Sequence, residues 1–277
     1  MYKAIGMNAV GINLPIEETL SLAVTYDFEG VYLDIMQVMQ FGENRIIDML
    51  EQLDLKAAGF GLPVNFRGNE GEYKKDMEKF EQMAKAASMI GMERCSTYIL
   101  PFSDELDFDQ NFDLHSKRLR EIAKILIDYN INIGLEFVGP KTLRDGHKYE
   151  FIHDMKGMLE LCHAIGTDNT GLLMDSYHWY TAHHTIEDIK DLGGGEMIID
   201  VHVNDAPRGV LIDEQLDNVR CIPAETGVID LKGFLKAIKD LGYDGPVMVE
   251  PFSTRLKNMD VHSILREVRD SLDRIWV

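Results

Sequence analysis

The sequence predicts an α/β protein built as a (β/α)8 barrel, the TIM barrel fold. Short apolar runs alternate with longer helical patterns along the chain, and eight such runs can be counted. Most of the runs are continuously apolar, as expected for parallel strands that are covered on both faces. Eight strand–helix units fit a chain of 277 residues, because this fold typically takes about 250 residues. An open, doubly wound sheet is the alternative, since periodicity alone does not show that a sheet closes.

The predicted strands are taken in chain order from these apolar runs. They span residues 3–10, 30–35, 55–64, 94–100, 132–138, 171–177, 197–203 and 245–252. The segments between them carry apolar residues at the spacing of one helix face, most clearly over residues 77–90, 119–127 and 261–275. Strand and helix therefore alternate through the whole chain.

Local signals mark where several of the helices begin and end. Pro15 followed by Glu17 and Glu18 is typical of a helix start, and Gly91 and Gly166 lie where helices are expected to stop. No segment rich in Pro, Gly or Ser divides the chain. We therefore expect a single catalytic domain over residues 1–277.

The composition limits the partners and the location. The 47 acidic and 28 basic residues give a formal net charge of −19, which disfavours binding to a polyanion such as DNA. Cys95, Cys162 and Cys221 lie far apart without a CxxC pair, so neither a disulfide framework nor a zinc finger is predicted. The N-terminus does not resemble a signal peptide, and no run approaches the roughly 18 apolar residues of a membrane span. We expect a cytoplasmic protein with no membrane or nucleic-acid partner.

Ionisable residues occur near the ends of the last four predicted strands, where the active site of a (β/α)8 barrel lies. They are Glu136, Asp175, His202 and Glu250. One such residue alone has an ordinary explanation as a salt-bridge partner. Three carboxylates in one ring, however, repel one another unless a cation lies among them. Oxygen ligands with one His suit Mn²⁺, Mg²⁺, Co²⁺ or Zn²⁺, and this donor set does not choose firmly among them.

The four segments that carry these residues, "LEFVG", "MDSYH", "HVND" and "VEPF", resemble a known family. It is the sugar isomerase/epimerase family with the xylose-isomerase-like barrel, which includes ketose 3-epimerases and inosose isomerases. The resemblance implies that Glu136, Asp175, His202 and Glu250 hold one divalent metal ion, with Mn²⁺ preferred over Mg²⁺, Co²⁺ or Zn²⁺.

The resemblance also implies a reaction and a substrate class. The family's D-x-x-H spacing and its six-residue His-to-Arg interval are kept, which implies that His178 and Arg208 bind the substrate. The implied reaction is isomerisation or epimerisation of a keto-sugar or keto-cyclitol through a cis-enediolate, with Glu136 and Glu250 as acid and base. The expected partner is this small molecule, and a homo-oligomer is left open.

The sequence leaves the roles of five further residues undecided. Asp34 either touches a substrate hydroxyl or supports a neighbouring turn, and Lys141 either meets a phosphate or is solvated. Asn204 and Asp205 either orient the metal-binding His or cap the next turn. Glu225 lies in a segment that departs from the family pattern by an Ala for a Gly and one additional residue, which leaves its role open.

Three other functions compete with this interpretation. An inosose dehydratase would use the same fold and metal site but lose a β-hydroxyl after the proton is removed. An endonuclease for abasic DNA uses a related barrel, but it needs more His ligands and a basic face. A non-catalytic sugar-binding barrel would make the four ionisable residues incidental.

Overall fold

Eight parallel strands close into a barrel in the computed structural model, which describes residues 1–277. The chain has ten strands in all: β1 (Tyr2–Ile5), β2 (Gly30–Tyr32), β3 (Lys56–Gly61), β4 (Arg94–Ile99), β5 (Phe102–Ser103), β6 (Asn132–Phe137), β7 (Tyr149–Glu150), β8 (Thr170–Asp175), β9 (Ile198–Val203) and β10 (Pro246–Val249). Around the barrel the order is β1, β10, β9, β8, β6, β4, β3 and β2. β1 pairs with β10 as well as with β2, so the open-sheet alternative is wrong and the (β/α)8 barrel is confirmed.

Helices follow the barrel strands and cover the outside of the sheet. They are α1 (Ile16–Thr25), α2 (Ile35–Phe41), α3 (Glu43–Leu53), α4 (Glu70–Met89), α5 (Phe108–Ile127), α6 (Met155–Ile165), α7 (Ser176–Thr181), α8 (Ile186–Lys190), α9 (Leu231–Asp240) and α10 (Val261–Ile275). None of them is both long and apolar enough to cross a membrane.

The predicted apolar stripes are the buried faces of these helices. On α5, Leu119, Ile122, Ala123 and Leu126 are fully buried, whereas Ile127, which the prediction also assigned to the stripe, is 42% exposed at the end of the helix. The corresponding residues of α10 are buried in the same way. These faces pack against strands whose side chains are mostly buried, least so in β3 and β4, and the two layers share one core of 69 buried residues. Removal of this apolar surface from water is the main favourable term in folding.

Helix ends follow the predicted chemistry. Gly166 ends α6 in the left-handed conformation, with φ at 70°, which glycine adopts without steric cost. Gly91 has φ at 79° two residues after the end of α4. Pro15 precedes the first residue of α1. The local signals therefore place these boundaries correctly.

Several predicted strands are too long at their carboxyl ends. The first ends at Ile5, and Asn8–Val10 instead form a 3₁₀ turn. The sixth ends at Asp175, because the carboxylate of that residue caps α7. Apolar residues continue past these strands to line the mouth of the barrel, so an apolar run is longer than the strand within it.

A small two-stranded sheet lies outside the barrel and is absent from the prediction. β5 and β7 pair antiparallel through Phe102 and Glu150. Each comes from a loop at the carboxyl end of a barrel strand, β5 after β4 and β7 in the loop after β6. The ring of Phe102 stacks on that of His147 with centroids 3.4 Å apart. This sheet joins the loop after β4 to the loop after β6.

Candidate metal centre and active site

The four ionisable residues at the strand ends come together in the structure. Glu136 is on β6, Asp175 ends β8, His202 is on β9, and Glu250 directly follows β10. Parallel pairing sets Asp175 beside His202, so the side chains reach the same end of the barrel. Ligand atoms of all four lie within 4.8 Å of one another.

The protonation of the cluster follows from burial and mutual repulsion. Burial, together with the neighbouring Glu250, raises the pKa of Glu136 well above its usual value. Burial also opposes the charge on Glu250, but the adjacent His202 and the charge of Arg220 outweigh it and lower the Glu250 pKa. Burial likewise disfavours the charged form of His202, yet Glu250 and nearby acids raise its pKa to about 10. The two glutamates therefore differ in acidity although they face the same space.

The donor atoms of this cluster are suited to a divalent cation. Oε1 of Glu136 and both ring nitrogens of His202 are buried without a hydrogen-bond partner. Buried polar atoms normally have partners, and unpaired ones are costly. Three carboxylates and one imidazole that converge within bonding reach supply the hard oxygen and borderline nitrogen donors that divalent metals take. The residues present fit such an ion.

Asp175 is held by four hydrogen bonds. Its Oδ1 accepts from the backbone N–H groups of Tyr177 at 2.6 Å and His178 at 3.2 Å, which begins α7. Its Oδ2 accepts from Nδ2 of Asn204 at 2.7 Å and from Nη1 of Arg220 at 3.2 Å. Burial raises the pKa of Asp175, while the charge of Arg220 opposes that rise.

Arg220 is the functional candidate that the sequence did not single out. It is buried, with Nη1 lying 3.2 Å from Oδ2 of Asp175 and 3.7 Å from Oε2 of Glu250. Its Nη2 donates to Oδ1 of Asp217 at 2.7 Å. The guanidinium therefore supplies the only arginine charge among the acids of this cluster. The one feature of the sequence that could have indicated Arg220 is its position directly before the apolar segment that begins at Cys221.

His178 lies beside the metal-type ligands but not in the cavity wall. Its Nδ1 accepts from the backbone N–H of Gly139 at 3.2 Å. Its Nε2 lies 3.7 Å from Oε1 of Glu136 and 3.1 Å from Nη2 of Arg220. Burial and the charge of Arg220 lower the pKa of His178 well below its usual value, so the ring is neutral at pH 7.

Arg208 is the one predicted site residue that the structure does not bring to the cluster. It is exposed, and its guanidinium donates to the backbone carbonyl of Thr226. It is not among the residues that line the cavity. The long loop after β9 instead reaches the site at Asp217 and Arg220, which sequence spacing does not show.

Asn204 and Asp205 have different surroundings. The side chain of Asn204 joins Asp175 to the backbone of Glu250, which places it next to the proposed ligands. Asp205 instead accepts five backbone N–H groups, those of Ala206 and of residues 226–229. Asp205 therefore organises the end of the loop after β9.

The remaining undecided residues also have defined contacts. Oδ1 of Asp34 accepts two backbone N–H groups at the start of α2, and Asp34 also lines the cavity. Glu225 accepts the backbone N–H of Ile222 and lies 3.3 Å from Nε of Arg255. Lys141 is exposed and lies 3.6 Å from Asp213. Glu225 and Lys141 are absent from the cavity wall.

A cavity of about 570 Å³ opens directly above the cluster. Glu136, His202 and Glu250 form its floor on one side, while 19 of its 25 lining residues come from positions 6–98. That wall combines apolar side chains, such as those of Ile16 and Phe60, with several polar ones. No Lys or Arg lines the cavity. Its size and mixed lining are typical of a small-molecule site.

Comparison with known proteins agrees with this architecture. The family model described as xylose isomerase-like TIM barrel matches residues 20–275. The chain belongs to this family. It is 26% identical over 272 residues to the inosose isomerase of Bacillus velezensis, covering 95% of this chain and 92% of that relative.

Two further similarities are more distant. The chain is 27% identical over 146 residues to the ketose 3-epimerase of Arthrobacter globiformis, which is 52% of this chain and 43% of that enzyme. The crystal structure of a protein named IOLI, described with a bound zinc atom, has a TM-score of 0.83 and 20% identity over 99% of this chain and 98% of that one. The latter similarity shows the shared fold.

Proposed function

We propose that this protein is a divalent-metal-dependent isomerase or epimerase that acts on a keto-sugar or keto-cyclitol. The observation that carries the proposal is the convergence of Glu136, Asp175, His202 and Glu250 within 4.8 Å. Glu136, His202 and Glu250 line a cavity of about 570 Å³ at the carboxyl end of the barrel strands, and Asp175 is buried beside them. The inosose isomerase and the ketose 3-epimerase among the relatives support the same reaction class.

Each of the four residues has a proposed role toward the ion. Glu136 would supply its unpartnered Oε1, and His202 would supply one of its two unpartnered ring nitrogens. Asp175 and Glu250 would each supply one carboxylate oxygen. Mn²⁺ is the proposed ion, and Mg²⁺, Co²⁺ and Zn²⁺ also match the donor types. A bound divalent ion would act as a Lewis acid that stabilises negative charge developing on the substrate oxygens.

The two glutamates would move the proton. A hydrogen next to a ketone is removed by one carboxylate, and the same or the adjacent carbon receives a proton from the other. Glu136 and Glu250 face the same space and differ in acidity, so one of them would remove the proton and the other would return one. Return of the proton to the same carbon from the opposite side inverts that carbon, whereas return to the neighbour moves the carbonyl.

Two other buried residues would support the carboxylates of the cluster. The guanidinium of Arg220 contacts the carboxylates of Asp175 and Asp217. Its positive charge stabilises these carboxylates and the acids nearby. His178 is neutral and lies close to Glu136, where it limits access of water to that carboxyl. The contact of Arg208 with the substrate, expected from its spacing, remains a prediction.

The cavity wall favours an uncharged substrate. Phosphate and carboxylate groups are usually bound by Arg, Lys or a helix N-terminus. The wall has no Lys or Arg, its acidic residues include Asp34 and the two glutamates, and Asp34 already accepts the N–H groups at the start of α2, a helix N-terminus in the wall. We therefore propose a free ketose or inosose rather than its phosphate ester.

Proton exchange in D₂O tests the proposed reaction. The purified protein is loaded with Mn²⁺ and incubated with free ketoses, inososes and their phosphates. We expect deuterium to enter next to the carbonyl of at least one uncharged substrate, and this exchange to stop when the metal is removed. Absence of exchange across the panel contradicts the proposal, and growth of a diketone absorbance indicates dehydration instead.

A further inference from the structure

We propose that Asn204 is a positioning residue that fixes Asp175 and Glu250 relative to each other in the metal centre. This inference rests on the proposed function, because it assigns a role around the same metal site. Asn204 follows directly after β9 and is fully buried. It contacts the strand ends on both sides of β9 through a single side chain.

The amide group of Asn204 joins two neighbouring strands. Its Nδ2 donates to Oδ2 of Asp175 at 2.7 Å. Its Oδ1 accepts the backbone N–H of Glu250 at 3.0 Å. One amide therefore spans from the end of β8 to the residue after β10, across the end of β9.

The partners of the amide determine its orientation. The group next to Nδ2 is a carboxylate, which only accepts, and the group next to Oδ1 is a backbone N–H, which only donates. The reverse orientation would set donor against donor and acceptor against acceptor. An Asp at this position would lack the donor, and an apolar residue would lack both functions.

The backbone of Asn204 is fixed as well. Its N–H donates to Oγ of Ser176 at 2.8 Å, and that hydroxyl donates to the carbonyl of Asn204 at 2.9 Å. The side chain therefore projects from a backbone that is itself joined to the start of α7. The position of the Asn204 amide is therefore fixed both by its backbone and by its side-chain partners.

The position of Glu250 explains why such a support is needed. The paired register of β9 and β10 ends at Val203 and Val249, so Glu250 is the first residue beyond the sheet. Asn204 is the corresponding first residue after β9. Its side chain replaces the missing backbone pairing and holds the main chain of Glu250 at the mouth of the barrel. Groups that orient metal ligands typically contribute about 10–100-fold to metal affinity.

The test compares two substitutions of Asn204 with a matched control. Asn204→Leu replaces the amide with an apolar group of the same branching, and Asn204→Ala removes the amide by truncation. The control is Asn169→Leu, because Asn169 is also buried and its Nδ2 donates to the carbonyls of Ala123 and Ile131, both at 2.9 Å. Asn169 lies just before β8, at the opposite end of the barrel from the proposed metal site.

Metal affinity is measured on the full-length protein by calorimetric titration with Mn²⁺ and with Zn²⁺, and the geometry of the site by the visible spectrum of bound Co²⁺. We expect both Asn204 variants to bind about 10–100-fold more weakly and to change the Co²⁺ spectrum. The Asn169→Leu variant should melt at a lower temperature but keep its affinity within about twofold. Each variant is titrated only below its melting transition.

Three outcomes overturn the inference. Wild-type affinity and spectrum in both Asn204 variants would show that the amide does not position the ligands. An equal loss of affinity in Asn169→Leu would show that the effect is a general one on stability. A wild-type protein that binds neither ion would contradict the proposed function itself, and this inference with it.

Discussion

At the scale of single residues, environment separates two glutamates of identical chemistry. Glu136 is buried without a partner for Oε1, and burial is the main reason that its pKa rises. The carboxylate of Glu250 lies beside His202, with Oε2 of Glu250 3.5 Å from Nδ1 of the ring. A pair of titratable groups with separated acidities is the usual arrangement for an acid and a base in one site.

Replacement of either glutamate should therefore stop proton transfer. We expect Glu136→Gln and Glu250→Gln each to lower turnover at least about 100-fold, because proton transfer by a positioned side chain contributes about 100- to 10,000-fold. Turnover is measured together with bound metal, so that loss of the ion is recognised. Glu225→Gln is the control, since Glu225 lies outside the cavity wall and should keep near-normal turnover. Near-normal turnover in both site variants with metal bound would contradict the assignment.

A second residue-scale prediction concerns pH and stability. His115 is buried against Phe66 and Phe151, and burial, with the charges of Arg67 and Arg118, lowers its pKa to about 4. In the unfolded chain the pKa of His is about 6.5. The unfolded state thus takes up a proton between these values and the folded state does not.

The consequence is a loss of stability in acid. The contribution of His115 is fully present above pH 6.5 and is lost as the pH falls from about 6.5 to about 4, by up to about 3 kcal/mol. Urea unfolding across this range should show a smaller decrease for His115→Gln than for the wild type. Parallel pH profiles of the two proteins would show that His115 does not titrate in this way.

At the scale of elements, one carboxylate organises the long loop after β9. Asp205 accepts five backbone N–H groups, and four of them belong to residues 226–229 just before α9. The backbone of Asp205 also pairs with that of Cys221. The two ends of the loop are therefore joined, and Arg220 is held beside the acids of the site.

Loss of this carboxylate should loosen the loop. We expect Asp205→Ala to lower the free energy of unfolding by about 3 kcal/mol, because buried N–H groups would lose a charged partner. Residues 206–225 should also become easier to cleave with a protease. Asp154→Ala is the control: Asp154 accepts one N–H at the start of α6, and its removal should cost about 1 kcal/mol. Equal losses in the two variants would contradict the special role of Asp205.

The sequence predicted the elements better than it predicted the loops. Predominantly apolar runs located all eight barrel strands, because most of the strand residues are buried. The pairing of β5 with β7 was missed, since each has only two residues. Arg220 was missed for a related reason. It lies in a loop without periodicity, and its approach to Asp175 depends on the turn held by Asp205 rather than on spacing from His202.

At the scale of the whole molecule, the net negative charge and the lining of the cavity both disfavour anionic substrates. The chain carries a formal net charge of −19, and no Lys or Arg lines the cavity. An anionic substrate would be repelled at a distance and would find no cationic side chain in the wall. Both features favour uncharged substrates.

Substrate charge provides the corresponding test. We expect kcat/KM for a free ketose or inosose to exceed that for its phosphate ester by at least about 100-fold, roughly the value of one lost charge-assisted contact of about 3 kcal/mol. The reaction of the uncharged substrate should also be nearly independent of ionic strength. Faster turnover of the phosphate ester would contradict this proposal while leaving the metal site unaffected.

Every donor of the proposed metal centre comes from position 136 onward, whereas most of the cavity wall comes from positions 6–98. The proposed metal ligands and most of the residues that would contact the substrate thus belong to different halves of the chain. During evolution, substitutions can accumulate in one half while the other is retained, so relatives that catalyse the same reaction can diverge in substrate specificity. Laboratory evolution toward a new ketose would begin with random variation confined to the first hundred residues.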